Sequence, residues 1–125
     1  MILGIGVDMV EIARIERLYS ERGSQFASRI LSAPEITLLD ASSRPELFLA
    51  NRFAAKEALS KAIGTGLRFP VTFHAISIIN TAIGKPGFEF HGALPDFLAE
   101  RGIGRHHLSL THEKGIACAM VVIED

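Results

Sequence analysis

Apolar and polar positions alternate along the chain at spacings that predict helices in the first half and strands in the second. Residues 2–7 are apolar and rich in glycine, as expected of a short buried strand. A helix-opening capping box has an N-cap residue followed three positions later by Glu. This pattern predicts three helix starts, the first leading into a helix through about Arg22: Asp8 with Glu11, Ser32 with Glu35, and Ser43 with Glu46.

The third of these helices has an unusual distribution of apolar residues. It is predicted from about Pro45 to Ile63, and 11 of the 17 residues from Leu47 to Ile63 are apolar and point nearly all round the helix. Such a helix is expected to be buried. Gly64-Thr65-Gly66 follows, where a glycine can adopt the left-handed conformation that ends a helix.

The second half alternates apolar and polar residues with a period of two. Residues 76–80 and 88–91 flank Gly84-Lys85-Pro86-Gly87 and predict a hairpin. A short helix follows, with Pro95 near its start and Gly102 at its end, and then residues 107–111 and 116–123 predict two strands, the last apolar on both faces like a central strand. The prediction is a single α+β domain over residues 1–125, with N-terminal helices packed on an antiparallel sheet.

Composition narrows the class of protein. The chain has 125 residues, 48% of them hydrophobic and 22% charged, and a net charge of −1, so neither a disordered tail nor a nucleic-acid coat is expected. The single Cys118 excludes an internal disulfide. Because Asp8 interrupts the apolar start and no stretch has the ~18 apolar residues of a membrane helix, we expect a cytoplasmic protein.

Two carboxylates are candidates for chemistry. Asp8 follows the first predicted strand, where it could hold a metal or simply cap a helix. Glu57 lies in the middle of the apolar helix and needs a partner. Lys61, four residues later, could supply an ordinary helical ion pair. Alternatively, Asp8 and Glu57 share Mg²⁺, which takes one or two protein carboxylates and completes its shell with water and phosphates, while Lys61 faces a phosphate.

A local excess of positive charge favours a phosphate-bearing ligand. Residues 52–68 contain four basic residues and one acidic residue, a local charge of +3. Arg52 and Lys56 could instead extend from a buried helix to solvent. Gly64 to Gly66 could let the backbone approach a pyrophosphate or could only end the helix.

One strand has a polar face. His107, Ser109 and Thr111 alternate with leucines and therefore share one side of the strand. This side could line a pocket or be the solvent face of an edge strand.

Several segments together resemble a known family. Gly4-Ile5-Gly6-Val7-Asp8, the run from Arg52 to Ala58 that continues into Lys61 to Gly66, Gly84-Lys85-Pro86, and His107 to Glu113 occur in this order over essentially the whole chain. They resemble the holo-acyl-carrier-protein synthases, the small bacterial type of 4′-phosphopantetheinyl transferase. The resemblance implies a homotrimer with active sites between subunits, which moves 4′-phosphopantetheine from coenzyme A to a serine of apo-acyl-carrier protein and releases adenosine 3′,5′-bisphosphate.

The resemblance also implies individual roles. Asp8 and Glu57 match magnesium ligands, and Lys61 matches a lysine beside the coenzyme A phosphates. Arg14 and Arg22 match a basic helix that meets the acidic carrier protein. The residues expected to contact coenzyme A are Arg52, Lys61, Gly64, Thr65, Gly66, Lys85, Pro86, His107, Ser109 and Thr111.

Two other functions use the same residues. A non-catalytic module could bind coenzyme A or a carrier protein through the basic segment. A metal-dependent pyrophosphate hydrolase would use water in place of the serine.

Overall fold

The computed structural model describes all 125 residues and is built from five helices and five strands. The α+β prediction is confirmed. A single 3₁₀ turn (Phe73–Ala75) precedes the second strand. The elements are β1 (Ile2–Glu11), α1 (Ile12–Arg22), α2 (Ser24–Ile30), α3 (Ala33–Asp40), α4 (Pro45–Ile63), β2 (Ile76–Asn80), β3 (Pro86–Phe90), α5 (Leu94–Glu100), β4 (Arg105–Glu113) and β5 (Ile116–Glu124).

The strands form two antiparallel sheets, whereas the sequence predicted one. The larger sheet has the order β1-β5-β4, and the hairpin β2-β3 forms the smaller sheet. The predicted central position of the last strand is confirmed. β5 pairs with β1 on one side and with β4 on the other. Its alternate residues face the core and are fully or almost fully buried: Ala117, Ala119, Val121 and Ile123.

Helix α4 forms the centre of the core, as its all-round apolar pattern predicted. It packs on β1 and β5 of the larger sheet and on α1, α2 and α3. Ten of its residues are buried. The predicted bounds are confirmed, and Gly64 ends the helix at φ 89°, in the left-handed region.

Two of the three predicted capping boxes are wrong. β1 continues through Asp8 to Glu11 because each of these residues pairs with β5, so α1 begins at Ile12 rather than after Asp8. Helix α4 has Arg44 at its N-cap, not Ser43. The Ser32–Glu35 box is present, with the Ser32 N–H donating to Glu35 Oε1 at 2.9 Å.

Helix α2 was missed by the sequence patterns. It has only seven residues and follows α1 after Gly23, whose φ of 54° turns the chain. None of the helices combines the length and apolar character needed to cross a membrane.

Candidate functional site

Two glycines bring β1 directly against α4. A Cβ on Gly4 would lie 2.0 Å from the carbonyl oxygen of Ala62, and one on Gly6 would lie 1.8 Å from that of Ala58. No side chain fits at either position, so the strand rests on the helix backbone. Asp8 is the next residue on this face of β1, and the contact places its carboxylate beside the C-terminal half of α4.

Asp8 and Lys61 form the first pair of the site. The Lys61 ammonium donates to Asp8 Oδ1 at 3.0 Å and to the Val7 carbonyl at 3.1 Å. The Lys61 side chain is half exposed, and that of Asp8 is 15% exposed. The helical ion pair between Glu57 and Lys61 does not form, because Lys61 turns to the strand. Asp8 is not a helix N-cap either, since it lies inside β1.

Glu57 completes the cluster from α4. Its pKa is raised, first by burial and then by repulsion from the Asp8 carboxylate, while the Lys61 ammonium opposes the rise. The two carboxylates therefore act on each other electrostatically, and a cation held between them would relieve this repulsion. No group of three or more His, Cys, Asp or Glu side chains is placed to hold a metal. A donor set of two carboxylates fits Mg²⁺, which leaves its other positions to water and phosphate oxygens.

The turn after α4 lies close to this cluster in sequence and is open. Gly64 and Gly66 both have positive φ, and there is free space where a side chain would stand at either. The Thr65 hydroxyl donates to the Gly66 carbonyl at 2.8 Å, which holds the turn in place. The turn can thus present its backbone to a ligand, and it also ends the helix.

Arg52 lies elsewhere on α4. It is nine residues before Lys61, which corresponds to about 13.5 Å along the helix and half a turn around it. Its Nε lies 3.3 Å from Glu35 Oε2, and its guanidinium stacks on Phe48 at 3.6 Å. The structure therefore does not bring Arg52 together with Asp8 and Lys61 within one chain.

Lys56 is not a ligand-facing charge. Its ammonium is fully buried and donates to Glu35 Oε1 at 2.6 Å, so the idea that it extends to solvent is wrong. Arg52 also fails to reach solvent freely, since only 13% of its side chain is exposed. Glu35 lies outside residues 52–68 but pairs with Lys56 and Arg52 inside that segment. Its negative charge therefore reduces the local charge of +3 that the sequence indicated.

The polar face of β4 points away from Asp8. Asp8 pairs with Ala119, which pairs with Leu110, so these three share the face that α4 covers. The predicted residues His107, Ser109 and Thr111 lie on the opposite, exposed face of an edge strand. There, His107 Nε2 lies 2.7 Å from Glu124 Oε2.

The hairpin residues are also separate from the cluster. Lys85 is exposed in the turn between β2 and β3, where its N–H donates to the Thr81 hydroxyl at 3.1 Å. Pro86 begins β3 in the smaller sheet. The coenzyme A residues predicted from the sequence therefore lie on several surfaces of the chain. Asp8, Glu57 and Lys61 meet in one cluster, and the 64–66 turn follows Lys61 directly at the end of α4.

Arg14 and Arg22 border a groove between the first two helices. The groove has a volume of about 210 Å³ and an apolar floor that includes Leu18, Phe26 and Phe53. A third arginine, Arg29 of α2, also lines it. Sequence reasoning missed Arg29 because it missed α2; the signal available was the spacing of Phe26, Ala27 and Ile30, which are all buried.

Comparisons with known proteins agree over the whole chain. A family model described as the 4′-phosphopantetheinyl transferase superfamily matches residues 4–120. The holo-[acyl-carrier-protein] synthases of Nitrosomonas eutropha and Nitrosospira multiformis are 51% and 48% identical to the chain over 124 residues, covering 99% of each protein. The crystal structure of the Neisseria meningitidis enzyme of this name superposes with a TM-score of 0.97 at 46% identity, with both chains fully covered. That of the Helicobacter pylori enzyme in complex with coenzyme A superposes at 0.83 with 32% identity, covering 96% of this chain and 99% of that one.

Proposed function

This chain belongs to the 4′-phosphopantetheinyl transferase superfamily, and we propose from that membership how its residues divide the work of a holo-acyl-carrier-protein synthase. The enzyme transfers 4′-phosphopantetheine from coenzyme A to a serine of apo-acyl-carrier protein. The serine hydroxyl loses its proton to the surrounding water as its oxygen bonds to the β-phosphorus of the pyrophosphate, the bond from that phosphorus to the bridging oxygen breaks, and adenosine 3′,5′-bisphosphate leaves with that oxygen. The observation that carries the assignment is the Asp8–Glu57–Lys61 cluster in a chain similar to these synthases over its full length.

Asp8 and Glu57 are the residues that would hold Mg²⁺. The electrostatic repulsion between the two carboxylates, which a bound cation would relieve, supports this assignment. When bound, the ion supplies positive charge to the pyrophosphate and orients its oxygens. Since the leaving group is a phosphate and the protein forms no covalent bond, most of the catalytic work is alignment and charge neutralisation.

Lys61 would neutralise phosphate charge from the other side of Asp8. Its ammonium is anchored by two protein oxygens, yet half of the side chain is exposed. A lysine fixed in this way can donate its third proton to a ligand oxygen. The backbone of Gly64 to Gly66 begins three residues after Lys61 and is open to solvent-side ligands, which supports its assignment to coenzyme A.

The remaining coenzyme A residues favour a site shared between subunits. Arg52, the Lys85-Pro86 turn and the His107 face lie apart from the Asp8 cluster within one chain, as expected if neighbouring subunits supply part of each site. A homotrimer with active sites between subunits would resolve this.

The outer face of the larger sheet supports self-association. Ile5, Val7, Met9 and Met120 share the face that α4 leaves uncovered, and each is between 46% and 66% exposed. Monomeric proteins seldom leave contiguous apolar side chains in water. We assign this face, together with the flanking polar strand β4, to contacts between copies of the chain.

The groove beneath Arg14 and Arg22 is the proposed docking site of the carrier protein. Its arginine rim attracts an acidic surface, and its apolar floor can receive an apolar side chain. The groove lies on α1, which follows directly from the strand that carries Asp8.

Intact mass measurement of a purified apo-acyl-carrier protein tests the function. Incubation with the enzyme, coenzyme A and Mg²⁺ should add the mass of one phosphopantetheine, and EDTA should prevent the gain. A folded enzyme that binds coenzyme A but never modifies a folded carrier would support the binding module instead. Release of adenosine 3′,5′-bisphosphate without any carrier would support a hydrolase.

A further inference from the structure

The carboxylate of Glu35 is the most highly coordinated buried charge in the protein. Oε1 accepts the Ser32 N–H at 2.9 Å and the Lys56 ammonium at 2.6 Å. Oε2 accepts the Ile78 N–H at 2.8 Å and lies 3.3 Å from Arg52 Nε in an ion pair. This single side chain therefore joins α3, α4 and β2, which is more than a helix cap requires.

The two cations around Glu35 have different surroundings. The Lys56 ammonium is fully buried and also donates to the carbonyls of Ile30 at 2.7 Å and Phe73 at 3.0 Å, so its three protons are all used inside the protein. The charges of Glu35 and Lys56 neutralise each other, so the positive charge of Arg52 has no second carboxylate to balance it.

Arg52 is held on two sides. Glu35 fixes the Nε edge of the guanidinium, and the Phe48 ring lies 3.6 Å from its central carbon. Arg52 lines an open cleft of about 500 Å³ that Leu38, Ser42, Phe48, Ile79 and Asn80 also border. The cleft contains no acidic side chain, so it is suited to an anion that presents oxygens to a guanidinium.

We propose that Glu35 is a positioning residue that holds Arg52 in the orientation required to bind a phosphate group of coenzyme A in this cleft. The proposal rests on the assignment of Arg52 to coenzyme A in the proposed function. Lys56 supplies the opposite charge beside the buried Glu35 carboxylate, and the Phe48 ring lies against the face of the Arg52 guanidinium. A fixed arginine binds phosphate better than a mobile one because less side-chain entropy is lost.

Steady-state kinetics of Glu35→Gln, Arg52→Ala and the double variant test the proposal. Glu35→Gln should raise the KM for coenzyme A about tenfold, because the guanidinium loses the charge of its ion-pair partner at 3.3 Å, and leave kcat at saturating coenzyme A unchanged. Because Glu35 acts through Arg52, the double variant should be no worse than Arg52→Ala. Dephospho-coenzyme A identifies the phosphate: its KM rises in Glu35→Gln if Arg52 binds the pyrophosphate and stays constant if Arg52 binds the ribose phosphate.

Two further variants separate positioning from folding. Ser77→Ala removes hydrogen bonds to Ser32 and His91 beside the same strand and should lower the melting temperature without changing the KM for coenzyme A. If Glu35→Gln does not fold, Glu35→Gln with Lys56→Met removes both buried charges together and should give the same KM rise. An active wild type with an unchanged KM in the Glu35 variants, or additive effects of the Glu35 and Arg52 changes, would overturn the proposal. An inactive wild type would instead refute the proposed function.

Discussion

The ammonium of Lys61 lies 3.0 Å from Oδ1 of Asp8, across 53 positions of sequence. The nearer carboxylate in sequence, Glu57, forms no ion pair with Lys61, and the Asp8 charge raises the pKa of Glu57 more than the Lys61 charge lowers it. Two carboxylates and one ammonium thus meet where β1 crosses α4. In the proposed function the two carboxylates hold a divalent cation and the ammonium faces a phosphate, which together supply the charge neutralisation on which phosphoryl transfer depends.

Removing either carboxylate should abolish transfer without unfolding the protein. Asp8→Asn and Glu57→Gln each keep the size of the side chain and remove its charge. We expect the rate to fall at least about a hundredfold, because a metal contributes several kcal/mol to transition-state charge stabilisation. Glu11→Gln is the matched control, since Glu11 is an exposed acid at the end of the same strand. Full activity of both folded variants in intact-mass assays would disprove the metal assignment.

Gly6 should tolerate no side chain. Gly6→Ala would bring a Cβ within 1.8 Å of the Ala58 carbonyl oxygen and force β1 away from α4. Such overpacking should cost about 3 kcal/mol or more of unfolding free energy. Gly87→Ala is the control, because Gly87 is also a strand glycine but has no heavy atom within 4 Å of its Cβ position. Denaturant unfolding of the two variants should therefore differ clearly, and equal stabilities would contradict this reading of the contact.

The elements that the sequence predicted correctly are those whose own residues carry a strong apolar pattern. Periodicity predicted α4, the β2-β3 hairpin and the central β5, since each has a strong apolar pattern of its own. The patterns failed where contacts between distant segments decide the secondary structure. Residues 8–11 were predicted to start a helix, but they belong to β1 because they pair with β5. The resemblance implied a shared role for Asp8 and Glu57, but only the fold shows that Lys61 turns to Asp8. Glu35 was read as a helix cap because its partners on α4 and β2 are distant in sequence.

Lys56 should make the free energy of unfolding depend on pH in the alkaline range. Burial lowers the pKa of Lys56 from 10.5 to about 8, although Glu35 opposes the change. Between these two values the unfolded chain binds more protons than the folded one, so the unfolding free energy from this group rises with pH. Relative to Lys56→Met, the wild type should gain stability from about pH 8 to 10.5. Parallel pH profiles of the two proteins in urea denaturation would show that the ammonium keeps its ordinary pKa.

The outer face of the larger sheet should hold the oligomer together. Met9 is 66% exposed in the single chain, and replacing it with lysine would place a charge in the middle of the apolar face. We expect light scattering to show a trimer for the wild type and a monomer for Met9→Lys. Ile36→Lys is the control, because Ile36 is also an apolar residue exposed to solvent but lies on α3, outside this sheet. A wild type that is monomeric at micromolar concentration would refute the assignment of this face.

Charge reversal at the groove should weaken carrier recognition and nothing else. Arg14 and Arg22 border the groove, whereas Arg17 lies on the same helix but does not line it. Arg14→Glu and Arg22→Glu should each raise the KM for the carrier protein by about tenfold and reduce its dependence on salt, because rim charges act mainly on encounter. The KM for coenzyme A should not change, since none of the residues assigned to coenzyme A lines this groove. Arg17→Glu has the same charge change and should have a much smaller effect. If all three variants behave alike, net charge alone guides the carrier protein and the groove has no specific part in binding it.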